Sequence, residues 1–304
     1  MIRRLLERMT RLRILGKSPS GAYLRFGEQI WRRLPQSLTS LPPARAYGRL
    51  MNAWVRLQGN RTQYHGTFFF RNRPELELMC RLASRRNGGP AMRMAAVGCS
   101  NGAEVYSIMS AIRSSQPQLK VIMRAMDISK EVVEAAREGV FSLGFSELVK
   151  ESILERMTED EMRKMFDREG HQLRVKSWIK EGIAWHVGDA ADPQILEVLG
   201  YQDVVVANRL LCHMEPMEAE GCLRNIARLV DAGGHLFVSG IDLAVRTKVA
   251  KDLGWRPVGE LMEEIHDGDP SLRLSWPWRY WGLEALDKRR HDWRVRYSSV
   301  FQLG

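Results

Sequence analysis

With 304 residues, 44% hydrophobic and 27% charged, the chain has the make-up of an ordinary globular protein, with room for one large domain and an appendage or for two modest domains. No run reaches the roughly 18 apolar residues of a membrane span, and no apolar block follows the N-terminal arginines as a secretory signal would require. Cys80, Cys99, Cys212 and Cys222 lie far apart without a CxxC pair, which argues against a disulfide framework or a zinc site and for a reducing cytoplasm.

The net charge of +10 is concentrated at one end: residues 1–65 carry thirteen Lys/Arg against Glu7 and Glu28, and the remainder is nearly neutral. Residues 1–17 place Ile2, Leu5, Leu6, Met9, Leu12 and Leu15 at helical intervals among basic residues, which predicts an amphipathic basic helix. It reads either as an arm for an anionic surface or acidic partner, or as a solvated helix whose apolar stripe docks on the core. Sequence-specific nucleic-acid binding is not expected. Prolines 35, 42 and 43 interrupt the next stretch, and helices are predicted over Ala22–Leu34 and Ala44–Gln58.

Thr67-Phe68-Phe69-Phe70-Arg71 follows, then Pro74 and a helix over Leu76–Leu82. The three aromatics read either as a linker packed into the core or as a wall over a ligand, with Arg71 reaching a carboxylate. Met94–Val97 is a short apolar strand. It runs into Gly98-Cys99-Ser100-Asn101-Gly102 and a helix from Glu104 onward. Strand, glycine turn and helix make the first unit of a nucleotide-type site, because free N–H groups at a helix N-terminus face the ligand. Val121–Met126 is the second strand, and Asp127 at its end is placed to accept both ribose hydroxyls or to cap the helix over Glu131–Glu138.

Residues 141–166 read as short helices and His171–Trp178 as an exposed strand. Ile183–Val187 is a strand leading to Asp189 and Ala190, where the acid either meets an adenine amino group or caps the turn before Pro193. Asp203–Asn208 is the clearest buried strand, and Asn208–Met214 follows at the carboxyl edge where open α/β sheets bind ligands. A helix over Pro216–Val230 is predicted to end at Gly233-Gly234, followed by a strand at His235–Ser239 and a helix at Val245–Leu253. The tail, rich in tryptophan and arginine, reads as core or lid, with a closing strand at Tyr297–Phe301. The fold class is α/β.

Four motifs in order carry a resemblance. Gly98-Cys99-Ser100-Asn101-Gly102-Ala103-Glu104-Val105-Tyr106-Ser107 is similar to the GCSTGEEPYS signature of the CheR-type chemotaxis receptor methyltransferases. Thr67–Arg71 resembles that family's T-x-F-F-R motif, Ala125-Met126-Asp127-Ile128 its A-T-D-I, and Val205–Leu211 stands where it has I-F-C-R-N-V-x-I. The resemblance spans residues 67–240. It implies a Rossmann-like class I methyltransferase sheet with helices on both faces, a basic helical N-terminal region over 1–62 and an S-adenosylmethionine-dependent methyltransferase domain over 63–304.

The resemblance also implies roles. Thr67 and Arg71 would meet the methionyl end of S-adenosylmethionine, with Arg71 pairing its carboxylate. Gly98 and Cys99 form the turn, Glu104 would hold the ammonium, and Asp127 would take the ribose. Asp189 and Ala190 would lie at the adenine, and Asn208 and Arg209 beside the sulfonium. Direct in-line transfer needs mainly proximity and alignment. A carboxylate acceptor is already ionised and needs only a cation to orient it, for which Arg81 is a candidate; an amine or phenol needs a base, for which His213 is the candidate.

The sequence departs from the family where Cys212-His213 replaces an aromatic pair, where Ala103 interrupts a Glu–Glu pair, and over 160–180, where the small-domain pattern is not recognisable. The acceptor is open among a small molecule, a glycan and a protein carboxylate. So are a cofactor-binding module without transfer, and other chemistry on the sulfonium.

Overall fold

Side-chain alternation along two apolar runs decides the layering. The computed structural model describes residues 19–39, 41–58, 66–86, 90–143, 153–269, 276–278 and 282–304; the basic helix expected over 1–17 lies outside them. In β1 (Met92–Val97), Met92, Met94 and Ala96 join one apolar cluster and Ala95 and Val97 another. In β7 (Gln202–Val206), Val204 and Val206 go to the first cluster, and Val205 to the second. A strand covered on both faces has no polar side to show, so its sequence reads as an unbroken apolar run.

The other strands of this sheet are β2 (Val121–Asp127), β6 (Ile183–Val187), β8 (Val230–Phe237), β9 (Arg256–Pro257) and β10 (Val300–Gln302). Seven strands lie in the order β6-β2-β1-β7-β8-β10-β9. The first five are parallel, while β10 runs antiparallel to both β8 and β9. From β1 the order grows outward in both directions, so the carboxyl ends of β1 and β7 flank a switch point, where a crevice opens.

One face carries α4 (Arg73–Ser84) and α5 (Ala103–Ser115) through residues such as Leu78, Met79, Val105 and Met109; the other carries α10 (Pro216–Ala227) and α11 (Leu243–Asp252) through Leu223, Ile226 and Val249. Helix α4 opens at Asn72, whose Oδ1 accepts from the Glu75 N–H, with Pro74 in the first turn where no N–H is needed. It runs antiparallel to β7: Glu75 sits at the carboxyl end of that strand and Arg86 pairs with Asp203 at its start, 2.7 Å away.

The α6 helix (Lys130–Glu138) is followed by a second, small antiparallel sheet in the order β3-β5-β4, built from β3 (Val140–Ser142), β4 (Phe166–Glu169) and β5 (Gln172–Val175). Helix α7 (Glu159–Met165) is fixed by a Thr158–Glu161 capping box and leads straight into β4. Within the stretch read as short helices, then, Phe141 and Ser142 of β3 and Phe166 at the start of β4 are strand. The strand expected over 171–178 stops at Val175 and yields to α8 (Ser177–Lys180). Phe69 anchors this sheet to the domain, meeting Phe141 and Phe166 edge-on at centroid distances of 5.0 and 5.3 Å.

Two boundaries differ from expectation on the second half of the large sheet. Helix α10 ends at Ala227, and Gly233-Gly234 is no helix terminus. It lies in an irregularity of β8, since Gln202 pairs with Val230 but Val204 with His235. The Gly233 N–H and Gly234 carbonyl are taken by Leu303, so the bulge is tied to the C-terminal strand. The closing strand starts at Val300 because residues 293–297 coil into a helical turn, α13 (Trp293–Tyr297).

The N-terminal helices α1 (Pro19–Arg33), α2 (Gln36–Thr39) and α3 (Pro42–Gln58) meet the tail. Met51 and Trp54 form an apolar cluster with Trp278. Gly27 and Gly48 lie so close to Trp278 and Trp276 that a Cβ would come within 2.5 and 2.4 Å of their rings. Two of the tail tryptophans are therefore the packing partners of the N-terminal helices. Among the described residues no helix is long and apolar enough to cross a membrane.

Candidate active site

A crevice opens at the switch point, lined from the ends of β1, β2 and β7 and from the aromatic motif. Its β1 side is made by the glycine turn. Gly98 and Gly102 have φ of +76° and +84°, and Ser100 between them is also left-handed at +49°. These values are the ones glycine adopts without strain. Gly102 is further constrained by space, since a Cβ there would meet Trp185 at 2.8 Å.

Asp127 is set by the backbone around it. Its two carboxylate oxygens accept from the N–H groups of Ser100 at 2.8 Å and Ser129 at 3.2 Å. The glycine turn and the end of β2 are thus locked together, with a buried carboxylate on the crevice wall. Ser129, not Asp127, caps the following helix by accepting from Val132. Asp189 and Ala190 line the same wall beyond β6. Asp189 also accepts from Ala191 N at 2.8 Å, so the turn-capping role read from the sequence is present at this residue too.

At the other end, Asn208 organises the crevice. Its Oδ1 accepts from the N–H and hydroxyl of Ser239 at 3.1 and 2.7 Å, which forces the amide NH2 to point the other way. That NH2 donates to Glu104 Oε1 at 2.9 Å and to Glu75 Oε1 at 2.6 Å. Burial, and then the facing Glu104 carboxylate, push the Glu75 carboxyl up to about 8.

Arg71 projects into the crevice from the aromatic motif together with Thr67 and Gly66. Its Nη2 donates to Gly66 O at 2.9 Å, while its buried Nε finds no acceptor among the described residues. Phe68, Phe69 and Phe70 are all buried. They pack inward rather than forming the crevice wall, so only the motif's two ends, Thr67 and Arg71, face the ligand space.

Arg209 (φ +59°) donates to Asp269 at 2.5 Å, and Asp269 also pairs with Arg156 at 3.1 Å. Burial, and then Arg71 nearby, lower the Arg209 guanidinium from its usual range. His213 closes this side from a short 3-10 turn, Leu211–His213, beside Leu210 and Met214.

Two residues named from the sequence are not brought here. Arg81 lies six residues beyond Glu75, about 9 Å further along a helix that leads away from the carboxyl edge. It is exposed and paired with Glu77 and with Glu260 at 2.8 Å. Cys99 keeps its place in the turn, but its side chain is buried in the core and its N–H donates to Met126 O at 3.0 Å. Burial beside Asp127 raises its thiol far above the usual range, which suits packing rather than contact. Sequence reasoning missed Glu75, Asp269 and Arg156. Asp269 and Arg156 come from chain-distant segments and carry no local motif. Glu75 had a signal, being an acid in the first turn of a helix that starts beside Arg71.

A seven-stranded sheet of this order with an antiparallel β10, a glycine turn after β1 and an acid after β2 make the Rossmann-like fold of the S-adenosylmethionine-dependent methyltransferases. The orphaned Arg71 Nε, the Asp127 carboxylate and the Glu104 carboxylate fit the cofactor's carboxylate, ribose and ammonium. Residues 65–250 match the model of the CheR methyltransferase SAM-binding domain, and the chain belongs to that family. It is 24% identical over 228 residues to a probable biofilm formation methyltransferase, WspC, of Pseudomonas aeruginosa, covering 68% of this chain and 49% of the relative. The Pseudomonas putida WspC is 24% identical over 251 residues, 74% of this chain and 54% of the relative. Chemotaxis protein methyltransferase 2 of Vibrio cholerae is 22% identical over 180 residues, 57% of this chain and 60% of the relative. The chain thus spans about half the length of the two WspC relatives.

Proposed function

We propose that this methyltransferase forms methyl esters on a carboxylate, of a protein side chain or a small molecule, in a reducing cytoplasm. The carrying observation is the distribution of charge in the crevice. The acids on its walls are already engaged, Asp127 by two backbone N–H groups and Glu104 by Asn208, while Arg71 and Arg209 line the same space. When bound, S-adenosylmethionine supplies an electrophilic methyl group on a sulfonium. What remains for the protein is to hold both partners in line and exclude water.

In this reading Asp127 takes the ribose and Asp189 with Ala190 borders the adenine. Arg71 and Thr67 hold the cofactor's carboxylate end, and Glu104 its ammonium. Arg209, steadied by Asp269, orients an acceptor that is anionic at neutral pH and needs no base. The four cysteines form no disulfide, which supports the reducing compartment. The V. cholerae relative's name, a chemotaxis protein methyltransferase, supports a protein acceptor among the carboxylates.

His213 on the crevice wall favours a second reading, in which it takes a proton from an amine or phenol acceptor. Methyl-labelled cofactor and a cell extract separate the two: label released by mild base supports the ester, and label stable to base supports the His213 reading. Binding without any transfer would leave a cofactor-binding module.

A further inference from the structure

Glu75 has no part in the methyl transfer described above, yet it is one of the most constrained charges in the molecule. It sits in the first turn of α4 with 4% of its surface exposed. It shares the Asn208 Nδ2 group with Glu104, at 2.6 and 2.9 Å. The Ser239 contacts to Asn208 Oδ1 prevent the amide from turning over. Two carboxylates therefore converge on a neutral group that offers two hydrogens and no charge, and two full negative charges in that arrangement repel.

We infer that binding of S-adenosylmethionine is linked to loss of a proton from Glu75. Without cofactor Glu75 keeps its proton; the arriving ammonium becomes the counter-charge for Glu75 and Glu104, and the proton leaves to solvent. Glu75 is thus a positioning residue, acting through Asn208 and Glu104. The inference rests on the reading that the Glu104 end of the crevice takes the cofactor's amino-acid end.

The surroundings agree. Burial and Glu104 place Glu75 at about 8, Asp269 adds to the negative field, and Arg71 and the Asn208 bond act against it. The adjoining polar chamber also presents Arg209, Arg246, His266 and Tyr297. Arg209 donates to Asp269, Arg246 to the carbonyls of Val238 and Arg296, and the His266 ring faces Glu284 O. Burial lowers His266 below the ordinary histidine value.

The sign follows. Glu75 is raised in the free protein, so below about 8 a proton must be expelled for the cofactor to bind. Affinity then rises by up to about tenfold per pH unit between pH 6 and 7.5, before the cofactor's own amine starts to lose its proton near 7.7–8.0.

The test is calorimetry of S-adenosylhomocysteine binding at pH 6.5 in buffers of different ionisation enthalpy. The wild-type protein is expected to release about one proton per site, and Glu75→Gln none, with an affinity flat from pH 6 to 7.5. A comparison on the wild type alone uses 5′-methylthioadenosine, which lacks the amino-acid end and should bind without proton release. Homocysteine-form binding without proton release, or release that persists in Glu75→Gln, overturns the inference and leaves the cofactor reading intact. No binding of either nucleoside overturns both.

Discussion

The two ends of the crevice are built on different principles. The nucleoside end, at Gly98–Gly102 and Asp127, is positioned by backbone: a left-handed glycine turn, and an aspartate gripped by two N–H groups. The reacting end is assembled from side chains far apart in the chain, where Asn208, Glu75 and Glu104 form one node and Arg209, Asp269 and Arg156 another. A backbone-built site depends little on side-chain identity. A side-chain node changes whenever one of its residues does.

This contrast breaks first at Asp269. Replacing it by Ala strands the buried Arg209 cation, and the expected loss is about 3–5 kcal/mol of folding stability, read as a lower denaturant midpoint. A stability unchanged from wild type would mean that the reacting end does not depend on this pair. Next is Asp127→Ala, which removes charge-assisted bonds to the ribose; cofactor affinity should fall by about 2–3 kcal/mol, roughly 30- to 150-fold. Equal affinity in the variant would take Asp127 out of the ribose role.

His213→Gln sharpens the acceptor end. If the acceptor is a carboxylate, kcat falls by less than about tenfold, whereas loss of a true base costs about 10²–10⁴-fold. Single-turnover rates with the labelled acceptor decide between them. The smallest effect is expected at Arg81, whose partners are Glu77 and Glu260 on the exposed side of α4. Arg81→Ala should leave kcat/KM within about twofold of wild type, and a larger loss would return that residue to the reaction.

How much could be read in the sequence follows the same division. The strands at 94–97, 121–126 and 203–208 were legible because the central parallel strands bury apolar residues on both faces; 183–187, an edge strand, was legible from its short apolar run alone. Thr67, Arg71, Gly98, Glu104, Asp127, Asp189, Ala190, Asn208, Arg209 and His213 all reach one crevice. Arg81 did not, because its place depends on the direction of a helix relative to the sheet, which spacing alone leaves open. Asp269 was invisible for a related reason: its significance lies in Arg209 and Arg156, and no local pattern joins them. Gly233-Gly234 misled because a glycine pair is equally at home in a helix terminus and in a bulge, and only the pairing of β7 with β8 and the contact with Leu303 select the second. The small sheet was hidden because β4 grows directly out of α7 without a loop to mark the change.

The central claim is that the crevice between β1 and β7 is a methyl-donor site. Titration of the purified wild-type chain with S-adenosylhomocysteine tests it most directly. We expect saturable binding at one site per chain, competed by S-adenosylmethionine; absence of saturable binding to either compound would contradict the account.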